Sequence, residues 1–373
     1  MKRLRRKARP NWIERVSALG ITDPVYTAER GTEEREWNED AVYVFTPDEI
    51  ETLRSASVRM REMVLAAVDT AIANPPLLER MGFPEQTQAL LAWSWNEGHR
   101  NLIGRYDWSF DGTAAPKLLE INGETCFGML ATARLQADFL NDQYPGLQQW
   151  NSLEDDLVGA FGRLRELRRK DVVFTCDDED PSCVYETRFV YDCLQAAKRR
   201  GRYVPLVDIA FNEDSRYFVD GDDQPIDALF LYQHWSLSIE SELAEYFFSD
   251  ERVATLMLEP VWRLLVSNKA FLAWLWEMNE GDELLLPTYV DHDPTADRLG
   301  DSYARKPQFG ADGANVTLMR DGHTLAENLD PNVDSSDGYI YQALCPLPEF
   351  DGGFHPVCCT WEVADRLSAL CVY

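Results

Sequence analysis

The sequence runs to 373 residues with 45% hydrophobic content, enough for a packed enzyme of two or three subdomains. Its 36 Lys and Arg stand against 64 Asp and Glu, a formal charge of −28 that repels phosphate backbones and argues against nucleic acid as a partner. No apolar run approaches the roughly 20 residues of a membrane span. The 8 Cys include no Cys-x-x-Cys pair and read as reduced core residues of a cytoplasmic protein, while the 5 His include no i, i+4 pair and argue against a His-built zinc site.

In chain order, the basic cluster "MKRLRRKARP" reads as a solvated, partly disordered arm, because no apolar segment follows it. Residues 47–73 predict a helix: Leu53, Met60, Val64, Ala67, Val68 and Ile72 recur at three- and four-residue steps. A second helix is expected over 84–97. Then come two short extended runs, "RYD" and "EIN", joined by a polar Gly- and Pro-containing turn. Helices are expected again over 123–142 and 155–170, followed by the apolar strand "DVVFTC" at 171–176 and a helix ended by Gly201. "YVPLVDI" and "DALFLYQ" are strand candidates, so an α/β layer is expected between about 150 and 235. From 239 to 279 the chain reads as helical, and after 300 as strands joined by Gly/Asp turns.

Four stretches carry chemistry. On the hairpin, residues i and i+2 point to one side, so Arg105 and Asp107 share a face, as do Glu120 and Asn122. Hard oxygen ligands without His or Cys suit Mg²⁺ or Mn²⁺, and a planar guanidinium suits a phosphate or carboxylate. An ordinary exposed polar face reads equally well from spacing alone. In "YARKPQFGADGANVTLM", Lys306 precedes a loop in which Gly310 and Gly313 let backbone N–H groups approach phosphate; a plain turn is the competing reading. In "SNKAFLAWLW", Ser267 or Asn268 stands as a cap and Lys269 lies in the first turn, against the helix dipole, where an anion or a snorkelling position would account for it. "YIYQALCPLPEF" offers the backbone of Gln342, Ala343 and Leu344 to a purine edge, as many core strands would.

Taken in order, "RYD…LLEINGET", "SNKAFLAWLWE…LLPTY", "ARKPQFGADGANV" and "YIYQALCPLPEF" resemble the glutathionylspermidine synthase-like ATP-grasp family from about residue 10 onward. The resemblance covers the synthetase part; the amidase domain of bifunctional members has no counterpart here. It implies an α/β (α+β) ATP-grasp fold, permuted so that metal-binding strands precede the nucleotide-binding lysines. The implied parts are an N-terminal helical region with the metal-binding hairpin (1–150), a substrate layer (151–238), and a nucleotide-binding lobe with C-terminal strands (239–373).

Carried over by position, Asp107, Glu120 and Asn122 look like magnesium ligands, and Arg105 like the residue that stabilises the transferring phosphoryl group. Lys269 and Lys306 look like phosphate-holding lysines. Gly310 and Gly313 match the glycine loop, Gln342 to Leu344 the adenine linker, Thr125 an acid-substrate contact and Thr187 a peptide contact. The implied reaction is ATP- and Mg²⁺-dependent amide formation through an acyl phosphate, joining a small peptide or other carboxylic acid to an amine; a charge of −28 would attract a polyamine. Two departures stand out. Ala311 occupies a position where relatives commonly carry Arg, and a further functional Arg of the family lies beyond the match to Tyr373. Both suggest the alternative of an ATP-binding or slowly ATP-hydrolysing relative without ligase activity.

Overall fold

The computed structural model describes residues 1–22, 24–27, 33–241, 244–248, 252–291, 293, 295–330 and 336–373. Three sheets of four or five strands form its frame. The helix Pro47–Ile72 begins with a capping box: Glu49 N–H donates to the Thr46 hydroxyl at 3.3 Å, and Thr46 N–H donates to the Glu49 carboxylate at 2.7 Å. Its stripe of Leu53, Met60, Val64, Ala67 and Val68 is buried, as the periodicity requires. Glu85–Asn96 follows as a second helix.

The central sheet is antiparallel, in the order Arg366–Val372, Cys358–Val363, Ile103–Ser109, Lys117–Asn122. The first strand of the hairpin is therefore interior, flanked by its own return strand and by one from the far end of the sequence. Trp108 and Trp361 are fully buried in this sheet. A parallel sheet runs Leu256–Leu258, Ala228–Tyr232, Val172–Cys176, Gly201–Tyr203, and its two middle strands are buried at every position, hence their continuous apolar runs. Helix Pro181–Ala196 connects two of these strands, with Ser182 N–H donating to the Asp180 carboxylate at 2.8 Å. The third sheet, antiparallel, runs Thr288–Val290, Tyr339–Ala343, Tyr303–Pro307, Val316–Arg320, His323–Asn328.

Several expectations need correction. The helix expected from 123 starts only beyond Gly128, as a wider turn at Ala131–Leu135 followed by Gln136–Gln143. Its entry is set by a distant group: Gly128 and Leu130 donate their N–H groups to buried Glu186 at 2.7 and 3.1 Å. The charged helix stops at Arg163, where Leu164 turns extended. "YVPLVDI" is strand only to Tyr203; Pro205 then leads into a short 3₁₀ turn at Leu206–Asp208. The stretch 239–279 is not continuously helical, because Leu256–Leu258 joins the parallel sheet.

The basic N-terminus is not a free arm either. Lys2–Arg5 pairs with Ala41–Val44, and Arg9 is 5% exposed. Arg9 ion-pairs with Glu39 at 2.5 Å, Asp138 at 2.9 Å and Asp142 at 3.3 Å, so the surplus of acids on the body of the protein holds the segment down. The free cysteines agree with a reduced core: six are buried, while Cys183 and Cys345 are partly so. Among the described residues no helix is long and apolar enough to cross a membrane.

Candidate active site

Pairing of the hairpin sets Arg105 opposite Asn122 and Asp107 opposite Glu120, with a bulge immediately after Asp107. The four side chains thus form a two-by-two patch on one face, and it is not an exposed one: Asp107 is buried and the Arg105 side chain is 12% exposed. Arg105 grips Asp107 through both ends of its fork, Nε to Oδ1 at 2.8 Å and Nη2 to Oδ2 at 3.0 Å, and its Nη1 donates to the Phe127 carbonyl at 2.7 Å. Asn122 Nδ2 donates to Asp107 Oδ2 at 3.0 Å, which leaves the amide oxygen of Asn122 turned away from that bond.

Two lysines reach this patch from different elements. Lys269 Nζ lies 3.7 Å from Glu120 and donates to the Gly310 carbonyl at 2.7 Å. Lys306 Nζ donates to the Leu119 carbonyl at 3.0 Å and to Gln342 Oε1 at 2.8 Å. Burial opposes the charge of Glu120, but Lys269, then Lys306 and Arg105, overcome it and hold the carboxyl below its usual range. Burial also pulls the Lys306 ammonium down to about 8, against the support of Glu120 and with the help of Lys269. Arg105 stays charged despite burial, chiefly because of Asp107.

Lys269 is placed by its neighbour. Asn268 is fully buried, donates to the Met81 carbonyl at 3.0 Å, and accepts the N–H of Ala270, the first residue of helix Ala270–Met278, at 2.8 Å; Lys269 itself holds the N-cap position. Lys269 N–H then donates to the Gln308 carbonyl at 2.9 Å, docking the helix start on the strand that carries Lys306.

The loop at 310–313 is exposed, with Gly313 at φ +70°. The strand with Gln342 is interior in its sheet, between Thr288–Val290 and Tyr303–Pro307; Ala343 N–H donates to the Pro287 carbonyl at 2.8 Å and Leu344 N–H to the Ser302 carbonyl at 3.4 Å. In this structure the N–H groups of Ala343 and Leu344 are turned onto neighbouring chain, and it is the Gln342 side chain that meets Lys306. Thr125 follows the hairpin with φ +44°, an unusual conformation for a β-branched residue, and its hydroxyl lies 3.0 Å from the His234 ring. Thr187 stands apart: it is fully buried on its helix, and its hydroxyl makes no hydrogen bond among the described residues.

Several residues around the patch have no sequence pattern to announce them. Buried Arg263 donates from Nε to the Gly123 carbonyl and from Nη2 to that of Ile103 at 3.4 Å, while Glu259 accepts the N–H groups of Leu102 and Ile103 at 2.8 and 2.9 Å. These two side chains fasten the base of the hairpin to the next layer; the Arg inside the apolar run "VWRLLV" was the one visible hint. Gly123 is needed there, since a Cβ would fall 2.6 Å from Ser267 Oγ. His234 is held neutral, pushed down to about 4 by burial and by Lys269. Tyr373 stacks on Arg105, with the guanidinium carbon 5.1 Å from the ring centre.

Comparison with known proteins decides the family. The glutathionylspermidine synthase preATP-grasp profile matches residues 3–373. The chain belongs to that family. An acid–amine ligase, so named, from Haemophilus influenzae is 27% identical over 366 residues, 96% of this chain and 91% of that protein. The bifunctional glutathionylspermidine synthetase/amidase of Escherichia coli is 22% identical across 95% of this chain, and the trypanothione synthetase of Crithidia fasciculata 25% identical across 83%. The chain spans 60% of the former and 50% of the latter. In structure it resembles the glutathione synthetase-like effector GSS30 of Globodera pallida, with a TM-score of 0.53 at 10% identity over 98% of this chain and 93% of that one. The family and its named members place the chain among ATP-dependent carbon–nitrogen ligases with a mixed α/β fold.

The donor set fits a hard divalent cation. Asp107, Glu120 and Asn122 are side by side, all oxygen donors, and the ion pair of Glu120 with Lys269 is a long one at 3.7 Å. Among the described residues no group of three or more His, Cys, Asp or Glu forms a competing site.

Proposed function

We propose that this site makes an amide from a carboxylic acid and an amine at the expense of ATP, by way of an acyl phosphate, on a permuted ATP-grasp scaffold. The observation that carries the reading is the convergence of Lys269, from a helix start, and Lys306, from a separate sheet, on the Glu120 side of a patch that also holds Asp107 and Arg105. Three chain segments far apart in sequence, the hairpin and the two that carry the lysines, build a dense alternation of charge, as phosphoryl transfer requires: positioning plus neutralisation, with little covalent work for the protein.

In this reading the hairpin and the layer at 151–238 receive the substrates, and the part from 239 onward, with the C-terminal strands, binds the nucleotide. Asp107, Glu120 and Asn122 would hold magnesium, which when bound supplies positive charge to the nucleotide phosphates. Lys269 and Lys306 bind phosphate oxygens, and the exposed Gly310–Gly313 loop closes over them. The Gln342–Leu344 segment edges the adenine. Arg105, freed from Asp107 as the latter takes other partners, orients the acid and neutralises the oxygens of the acyl phosphate. Thr125 contacts the acid, and Thr187 supports the peptide side from within. The amine then displaces phosphate; the acidic run Asp177–Asp180, at the carboxyl end of a parallel strand, offers it complementary charge. From the named relatives, a glutathione-like peptide and a polyamine are the substrates to try first.

The test is thermal melting with and without Mg²⁺–ATP. Ligand that binds only the folded state raises the melting temperature, and the rise should vanish in Asp107→Asn. ADP release on adding glutathione and spermidine then establishes ligation. A metal-dependent shift without any substrate-stimulated ADP release would favour the non-ligating relative that Ala311 suggests. No shift in the wild type would sink the nucleotide site itself.

A further inference from the structure

Arg105 is held by more than its ion pair. Its guanidinium carbon lies 5.5 Å from the ring centre of Trp361, its register partner on the inner strand, and 5.1 Å from that of Tyr373. Both distances are within the range where an aromatic quadrupole attracts a cation. The Tyr373 hydroxyl donates to the Phe127 carbonyl at 3.1 Å, the same oxygen that accepts Arg105 Nη1 at 2.7 Å. The Tyr373 backbone exchanges both hydrogen bonds with Val357, at 2.9 and 3.0 Å, so the ring projects from a fixed edge of the central sheet.

The neighbouring position is matched to this arrangement. Gly128 has φ +91°, and a Cβ there would overlap the Tyr373 hydroxyl. The absence of a side chain at 128 is what lets the phenol reach the Phe127 carbonyl. Tyr373 is nevertheless 56% exposed, so the ring covers Arg105 on one side and is open to solvent on the other.

We propose that Tyr373 is a positioning residue for Arg105: its ring and hydroxyl, seated in the space left by Gly128, hold the guanidinium over the patch in the orientation used on the acid's phosphoryl intermediate. The role of Arg105 in this statement rests on the ligase reading above. Tyr373 reaches neither lysine in any hydrogen bond, so the clamp acts on chemistry rather than on nucleotide binding.

The experiment compares wild type with Tyr373→Ala, Tyr373→Phe and Arg105→Ala in the full chain. One readout needs no substrate: phenylglyoxal modification of Arg105, followed by peptide mass spectrometry. Losing the ring should speed that modification several-fold in Tyr373→Ala, and equal rates would overturn the clamp. The second readout is ADP release with glutathione and spermidine as probes, beside Mg²⁺–ATP affinity by calorimetry. Tyr373→Ala should lose roughly fivefold in kcat, the worth of a solvent-open cation–π contact of about 1 kcal/mol, with ATP affinity within about twofold. Tyr373→Phe keeps the ring and should retain most of the rate. An equal fall in ATP affinity and kcat would make Tyr373 a general structural residue and overturn the proposal. If Arg105→Ala is crippled while Tyr373→Ala is not, the clamp fails and the ligase reading stands; if both turn over like wild type, the role given to Arg105 fails with it.

Discussion

At the scale of single residues, charge is the quantity that decides. Glu120 is the carboxylate on which both lysines act, so Glu120→Ala should abolish metal-dependent nucleotide turnover while leaving the melting curve nearly in place; unchanged turnover would refute the metal assignment. In the proposed ligase, Lys306→Ala would remove a charge-assisted phosphate contact worth about 1.5–3 kcal/mol and should weaken ATP binding at least tenfold, read by calorimetry. Glu186 makes a different prediction. Burial pushes its carboxyl up to about 8, so the folded protein keeps a proton that the unfolded chain releases near 4.5. Its contribution is therefore present below about 4.5 and is lost as pH rises through about 8. Glu186→Gln should lose less stability than wild type between about pH 5 and pH 8 in urea melts; parallel losses would deny the shift. The polar pairs of the hairpin could be read from alternation alone, because strand geometry puts i and i+2 together. Glu186, His234 and Tyr373 could not, since each matters through partners that no local spacing brings near.

At the scale of elements, the helix start at 268–270 is a joint. Asn268 is fully buried, with its amide spanning the Met81 carbonyl and Ala270 N–H. Asn268→Ala should cost about 2 kcal/mol in urea unfolding through the Ala270 N–H and Met81 carbonyl left unpaired, and should also weaken ATP binding by unseating Lys269. Loss of stability without loss of affinity would separate the two. In the exposed loop, a Cβ at Gly313 meets nothing, so Gly313→Ala reports its φ of +70° alone. About 1 kcal/mol of local strain is expected, seen as slower turnover and a melting temperature lower by about 1–2 °C. Long elements with a clear period, such as Pro47–Ile72, announce themselves. Leu256–Leu258 does not: three residues carry no period, and only the neighbouring strand Ala228–Tyr232 makes them a strand.

At the scale of the whole molecule, acidity is distributed with a purpose at the N-terminus, where Arg9 gathers Glu39, Asp138 and Asp142. Arg9→Ala would leave buried Glu39 without its cation and should cost about 3 kcal/mol in equilibrium unfolding; a neutral result would return this segment to the status of a loose arm. Composition pointed to an acidic enzyme but not to this use of the acids, because pairing across more than 100 positions leaves no local trace. The order of strands in the central sheet has a consequence in time. The strand bearing Arg105 and Asp107 pairs on its inner side with Cys358–Val363, so a growing polypeptide carries the hairpin with one flank unsatisfied until residues 358–363 have emerged from the ribosome. Contacts of such span form late and slowly. Until that strand arrives the nascent chain exposes an unpaired β-edge, and the face that carries Arg105 and Asp107 takes its final shape only afterwards.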